Sequence, residues 1–450
     1  MLVHFISLGC DKNLVDSEIM LHLLGEGGHE IVAEPERAQA IIVNTCAFIA
    51  KASAEAIETA LEYAAYKASG ECKALILTGC MAQRYKDDIM RELPEVDAIV
   101  GVNDFDAIGE VLSLAANGHR TVRIGGSRDA NTNYTRKLTT PSHFAYLKIS
   151  QGCDNDCTYC TIPSITGKHK SRSIESLLKE ARMLADQGVR ELMIVAQDTT
   201  YYGRDLGEGA PTLPILLNEL SRVPGIAWLR LFYAYPEYIT DALIEEMSQN
   251  PKICHYIDMP IQHCDDTILR RMGRARLSPT GSTDGAQARL LQTIAKLRAA
   301  MPDIALRTTL IVGFPGESDE QFARLAQFVR EIRFDKLGIF EYSPEEGTPA
   351  AKLPDQVPDH IKSYRKDFIM RIQREVSRAR LQSRVGHTYP TIVEGYMEDR
   401  GLYFGRTFMD AHDIDGNVFF EHGSRVEIGE MIKVHVTQSS DYDLTGIAIV

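Results

Sequence analysis

The sequence predicts an α/β protein in three parts: an N-terminal parallel α/β domain, a partial (β/α)6 barrel, and a small antiparallel β-barrel at the C-terminus. Short apolar runs near the N-terminus are each followed by a loop and a helical pattern, which is the βαβ signature. Further along, six apolar runs alternate with amphipathic helices. The last stretch consists of short alternating strands between Gly, Asp and Asn turns.

In the first part the strands fall at His4–Leu8, Ala40–Val43 and Ala74–Leu77, with helices at Leu14–Leu24 and Ser53–Ala68. The Gly-, Ser-, Asn- and Thr-rich segment from His119 to Ser142 reads as a linker. It sets the first domain at 1–120 and the linker at 121–142. The barrel, 143–375, takes strands at Phe144–Ile149, Glu191–Ala196, Leu229–Ala234, Tyr256–Pro260, Leu306–Val312 and Leu337–Tyr342. Helices at Ile174–Asp186, Ala286–Ala300 and Ser318–Ile332 keep the 3.6-residue period. Such a barrel is two units short of the full eight. Ser278–Gly285 is an insertion with no evident chemistry. A long basic helix, His360–Arg384, leads into the terminal barrel, 385–450.

A chain of 450 residues is too long for one hydrophobic core. Its 44% hydrophobic and 25% charged content is that of an ordinary soluble protein. No apolar run approaches the roughly 18 residues that a membrane helix needs, so no membrane partner is expected. The opening MLVHFISLGC ends in Gly-Cys like a lipoprotein signal, but it lacks a basic n-region and reads as a strand. A cytoplasmic location is expected. There the nine cysteines point to metal or redox chemistry and not to disulfides. The net charge of −13 excludes an overall phosphate-binding footprint.

Cys153, Cys157 and Cys160 form a C-x3-C-x2-C motif on the loop after the first barrel strand. Three thiolates on so short a loop can wrap one corner of an iron–sulfur cube and leave the fourth iron open to a substrate. A structural zinc site is the plainer alternative, but it needs a fourth ligand, and His169 lies outside the usual spacing. The loop also stands at the C-terminal face of a barrel strand, where barrel active sites are found.

Cys10, Cys46 and Cys80 close the first three strands as SLGC, VNTC and LTGC. Any one alone would read as a buried structural cysteine. Three in equivalent positions converge on the rim where an open parallel sheet binds ligands, and point to a second cluster with an open iron. Cys72 and Cys254 read as structural. Cys264 follows Gln262-His263 at a strand end, where packing is the simpler role.

The three-cysteine spacing, with Tyr159 before the last cysteine, resembles the radical S-adenosylmethionine (SAM) superfamily. The resemblance implies a 4Fe-4S cluster whose open iron binds SAM and a 5′-deoxyadenosyl radical as the reactive species. It implies cofactor contacts from Tyr159, from Gln197 and Asp198 at the end of the second strand, and from Gly313 in the segment Thr309–Glu317. No side chain reads as a general base, and none is expected as a catalytic residue where radical chemistry takes place at the clusters.

Together the two triplets and the three domains resemble the methylthiotransferase family, whose terminal barrel is of the TRAM type. That resemblance implies two 4Fe-4S clusters, one SAM for the radical and another as methyl donor, and a reductase or flavodoxin-type electron donor. The family divides between enzymes that modify tRNA adenosine and a branch that modifies the β-carbon of an aspartate of ribosomal protein uS12. Leu192–Tyr202, Asp258–His263, Gly405-Arg406 and Asp413–Gly416 resemble the uS12 branch. From His387 onward only Arg400, Arg406, Arg425 and Lys433 stand against eleven acidic residues, Asp410, Asp413 and Asp415 among them. An acidic terminal domain suits a basic ribosomal protein better than tRNA phosphates.

Overall fold

The structure, a computed structural model, describes residues 1–68, 70–126, 131–132, 134–274 and 285–449. The first sheet is parallel throughout: β1 (Leu2–Ser7), β2 (Glu30–Ile31), β3 (Ala40–Thr45), β4 (Ala74–Gly79), β5 (Ala98–Val100) and β6 (Thr121–Arg123), in the order β2-β1-β3-β4-β5-β6. β3 and β4 are buried along their whole length, which is why they read as continuous apolar runs. β2, β5 and β6 are too short to stand out in the sequence. β6 falls inside the segment read as a linker, and residues 127–130 and 133 of that segment lie outside the described ones.

After β7 (Phe144–Lys148), the short strands β8 (Ser150–Gln151) and β9 (Lys170–Ser171) pair antiparallel and bracket the second cysteine loop. The parallel sheet continues with β10 (Glu191–Val195), β11 (Trp228–Leu231), β12 (Ile253–Asp258), β13 (Ala305–Val312) and β14 (Lys336–Glu341), in the order β14-β13-β12-β11-β10-β7. β7 and β14 do not pair, so the barrel is partial, as expected. Its helices include Ile174–Asp186, Ala286–Ala300 and Asp319–Ile332. The insertion at Ser278–Gly285 lies outside the described residues apart from Gly285.

The helix Asp359–Gln382 leads to a closed barrel of β15 (Thr388–Met397), β16 (Leu402–Thr407), β17 (Val418–Glu421), β18 (Met431–Ser439) and β19 (Leu444–Ile449). Its pairings are antiparallel except one, β17 with β19, which is parallel. The chain leaves β17 to pair β18 with β15, and β19 then returns from β18 in the direction of β17.

Alternate residues of the central sheet face two different cores. Leu192, Ile194, Leu229 and Leu231 pack with the surrounding helices. Met193, Val195, Trp228 and Tyr256 pack with Ile392, Val418, Phe420 and Val434 of the terminal barrel. An eight-stranded barrel fills its own interior; here the last domain fills the space that six strands leave. Buried charges join the two. Arg230 and Arg406 both pair with Glu191, at 2.6 and 2.7 Å, and Arg406 also pairs with Glu394 at 2.6 Å.

The same contact takes up part of the acidic charge of the terminal domain. Asp410 is buried against Lys336 at 2.6 Å, and Asp415 accepts from the Tyr256 hydroxyl at 2.9 Å. Neither is available to a partner, whereas Asp413 is exposed. No helix among the described residues is long and apolar enough to cross a membrane.

Candidate functional site

The barrel triplet sits between β8 and the short helix Ile162–Thr166. Cys153 N donates to Gly167 O at 3.2 Å and Cys160 N to Cys157 O at 3.1 Å, which folds the loop back on itself. Ile162 N donates to Cys160 Sγ at 3.4 Å, the kind of N–H contact that stabilises a thiolate. Asn155, between the first two cysteines, donates to Asp198 at 2.8 Å and so ties the loop to the end of β10.

Burial pushes the Cys153 thiol up to about 11 and the Cys160 thiol up to about 12, with the neighbouring thiols adding to both. Thiolates here need a positive centre beside them, which cluster iron supplies. Among the described residues no group of three or more His, Cys, Asp or Glu could hold one metal ion. The donor set is three thiols, which suits a cluster with one open iron, whereas a structural zinc needs four ligands. The Nε2 of His169, the nearest histidine, meets Ser171 at 3.1 Å and Asp205 at 3.8 Å.

The front triplet stands at the C-terminal ends of β1, β3 and β4, as the spacing predicts. Cys10 caps the helix Asp11–Glu26, and Cys80 begins the short helix Cys80–Arg84. Burial and the charges of Cys10 and Cys46 push the Cys80 thiol up to about 12, and burial also raises Cys46.

Two side chains that sequence reasoning missed lock these loops together. Asn13 Nδ2 donates to Thr45 O at 3.0 Å, and its Oδ1 lies 3.7 Å from Cys80 Sγ. Asn44 Nδ2 donates to Asn13 O at 3.0 Å. Gly79, before Cys80, has φ +89°, and a Cβ there would stand 2.3 Å from Asn44 Oδ1, so only glycine fits. Asparagine beside a strand-end cysteine was the available signal.

Two tyrosines after β11 connect the triplets. Tyr235 OH lies 4.0 Å from Cys157 Sγ, and Arg274 stacks on the Tyr235 ring at 3.7 Å. Tyr233 OH donates to Asp11 at 3.2 Å, next to Cys10. The first domain also reaches the barrel through Arg84–Glu345 at 3.5 Å and a Lys148–Asp16 ion pair, and Arg136 of the linker bridges the two, pairing with Glu18 at 3.2 Å and Glu180 at 3.2 Å.

Of the expected cofactor contacts, Gln197 keeps its Oε1 buried without a partner among the described residues, as do Asn155 Oδ1 and Gln262 Oε1. These are free acceptors near the barrel triplet or at strand ends. Tyr159 packs beside Phe314 and Tyr342, and burial with Cys157 close by pushes its hydroxyl well up. Asp198 spends both oxygens internally, on Asn155 and on the Thr200 hydroxyl at 2.6 Å. At Gly313 the space of a side chain is filled by Lys362, and its N–H is donated to Glu317. Cys72, Cys254 and Cys264 are buried in three different cores.

Comparison with known proteins agrees with this division. Residues 2–101 match the uncharacterized protein family UPF0004, 147–329 the radical SAM superfamily and 385–449 the TRAM domain. The ribosomal protein uS12 methylthiotransferase RimO of Lachnoclostridium phytofermentans is 47% identical, covering 100% of both chains. Its namesake from Geobacter sulfurreducens is 46% identical, covering 99% of this chain and 98% of its own. Among solved structures, the radical SAM methyltransferase TsrM from Kitasatospora setae, with cobalamin and a 4Fe-4S cluster bound, is alike in fold. It aligns with a TM-score of 0.57 at 12% identity, covering 78% of this chain and 73% of that one.

Proposed function

This chain belongs to the ribosomal protein uS12 methylthiotransferases, which are radical SAM enzymes, and on that footing we propose that it places a methylthio group on the β-carbon of one uS12 aspartate. The observation that carries the proposal is the pair of cysteine triplets, joined by the tyrosines after β11. In this reading Cys153, Cys157 and Cys160 hold the cluster that binds SAM, and Cys10, Cys46 and Cys80 hold a second 4Fe-4S cluster. When bound, these groups supply a carbon radical strong enough to break a C–H bond, and a sulfur to replace the hydrogen. One SAM serves as radical source and another as methyl donor, with the electron coming from a reductase or flavodoxin-type partner.

The protein's own share is to hold, exclude water and orient. Asn155 and Asp198 keep the barrel loop in place, and Asn13 and Asn44 do the same for the front loops. In this reading Gln197, whose Oε1 is buried without a partner among the described residues, and Tyr159 contact SAM, and Gly313 leaves room for Lys362. The arginine ion pairs and the terminal barrel close the sheet from the side opposite its helices.

Charge favours uS12 over tRNA adenosine, the alternative acceptor. With the Asp410 and Asp415 side chains buried, the terminal barrel still exposes Glu398, Asp399, Asp413, Glu421, Glu427 and Glu430 against Arg400, Arg425 and Lys433. Mass spectrometry of uS12 and total tRNA from cells with and without this protein tests the assignment. A methylthio mass lost from uS12 alone supports it, and one lost from tRNA alone refutes it.

A further inference from the structure

The residues that join the two triplets carry a cation with an uncommitted donor. Lys12 follows Cys10 by two positions, and its ammonium stands 3.5 Å from the centroid of the Tyr233 ring. Two residues beyond Tyr233, the Tyr235 hydroxyl touches Cys157. Lys12 therefore lies on the path from one triplet to the other.

Its side chain is 13% exposed, walled in but reachable. One ammonium N–H goes to Asp11 Oδ1 at 2.9 Å, and the Tyr233 ring lies against another side. Among the described residues no further acceptor meets the three-donor group. Asp11 Oδ1 is itself shared, accepting also from Lys12 N at 3.0 Å and Tyr233 OH at 3.2 Å. Tyr233 holds φ +54°, a left-handed conformation that strains a non-glycine residue and tends to persist at functional sites.

We propose that Lys12 is a positioning residue that grips the carboxylate of the substrate aspartate between the two clusters. This rests on the uS12 reading above. The aspartate β-carbon is bonded directly to its carboxyl carbon, so a fixed carboxylate fixes the carbon to be modified one bond away. A charge-assisted hydrogen bond in a water-poor cleft is directional and strong. It also discriminates, because a neutral nucleobase offers the ammonium no anion.

The test measures binding of purified uS12, and of uS12 with the modified aspartate changed to Asn, to the holoenzyme and to its Lys12→Gln and Lys12→Arg variants. Iron content confirms that each variant keeps its clusters. We expect Lys12→Gln to bind uS12 about 10- to 100-fold more weakly and Lys12→Arg to stay within a few-fold of the unmodified enzyme. The Asn form of uS12 should bind the unmodified enzyme and Lys12→Gln alike. Equal weakening toward both forms of uS12 makes Lys12 a structural link between domains and overturns the inference. So does full affinity of the unmodified enzyme for the Asn form, a result that needs no variant of this chain. If the unmodified enzyme does not methylthiolate uS12 at all, the uS12 reading fails and takes the inference with it; if it does, only the role of Lys12 is at stake.

Discussion

Arg406 of the terminal barrel lies 2.7 Å from Glu191 of the central sheet, and neither side chain is more than 1% exposed. Burial alone would raise the Glu191 carboxyl, but the guanidiniums of Arg230 and Arg406 outweigh it and hold the group below its ordinary value. The terminal barrel is thus bound into the catalytic domain by charges that water does not screen.

Removing one partner from such a network leaves a charge buried and unpaired. Arg406→Met should therefore destabilise the protein by about 3 kcal/mol. Thermal unfolding should show the loss as a lower midpoint, with no change in iron content at ambient temperature. An unchanged midpoint would mean that the domains adhere through apolar packing alone.

Glu317 gives the protein a distinct pH dependence. Burial pushes its carboxyl up to about 7, against the opposing pull of Arg365 and the Gly313 and Phe314 N–H groups. A carboxyl raised on folding adds stability below its unfolded pKa of about 4.3, and that stability is lost as pH rises through 7. His263 cannot offset the charge: Asp265 N donates to its Nδ1 at 2.9 Å, and burial lowers the ring to about 3. Glu317→Gln should hence be more stable than the unmodified protein at pH 8, by up to roughly 3 kcal/mol, with most of that gap gone at pH 5. Urea midpoints at the two pH values measure this, and equal gaps at both would contradict it.

Asn13 supports the front triplet without ligating it. Asn13→Ala removes the bond to Thr45 O and the contact with Cys80 Sγ. Anaerobic reconstitution should then give clearly less than the about eight irons expected of two four-iron clusters. Formation of 5′-deoxyadenosine at the barrel should persist. Full iron loading would show that the strand ends hold the cysteines unaided.

The exposed acids of the terminal barrel should steer uS12. Changing Glu398, Asp399 and Glu427 to Lys should weaken uS12 binding several-fold at low salt. The effect should fade toward physiological ionic strength, where the Debye length is about 8 Å. Tighter tRNA binding with unaltered uS12 binding would favour the nucleic-acid reading.

Much of this molecule is legible in its sequence because its strongest signals are local. The cysteine spacings, the apolar runs of β3 and β4, and the helix Ile174–Asp186 needed no tertiary information. Strands of two or three residues, such as β2 and β6, carry too little period to register. What Asp410 and Asp415 do was hidden for another reason. Their acidity is visible in sequence, but only the packing of the terminal barrel on the central sheet shows that Lys336 and Tyr256 consume it. Asp198 was visible as a strand-end acid, yet its bonds to Asn155 and Thr200 depend on how the cysteine loop folds back. Lys12 was passed over because the ring it lies against is far away in sequence.

The most direct test of the two-cluster account is the triple variant of Cys10, Cys46 and Cys80 to Ala, assayed with purified uS12. About half the iron is expected, with continued formation of 5′-deoxyadenosine from SAM and no methylthiolated uS12 by mass spectrometry. An unchanged yield of methylthiolated uS12 from this variant would contradict it.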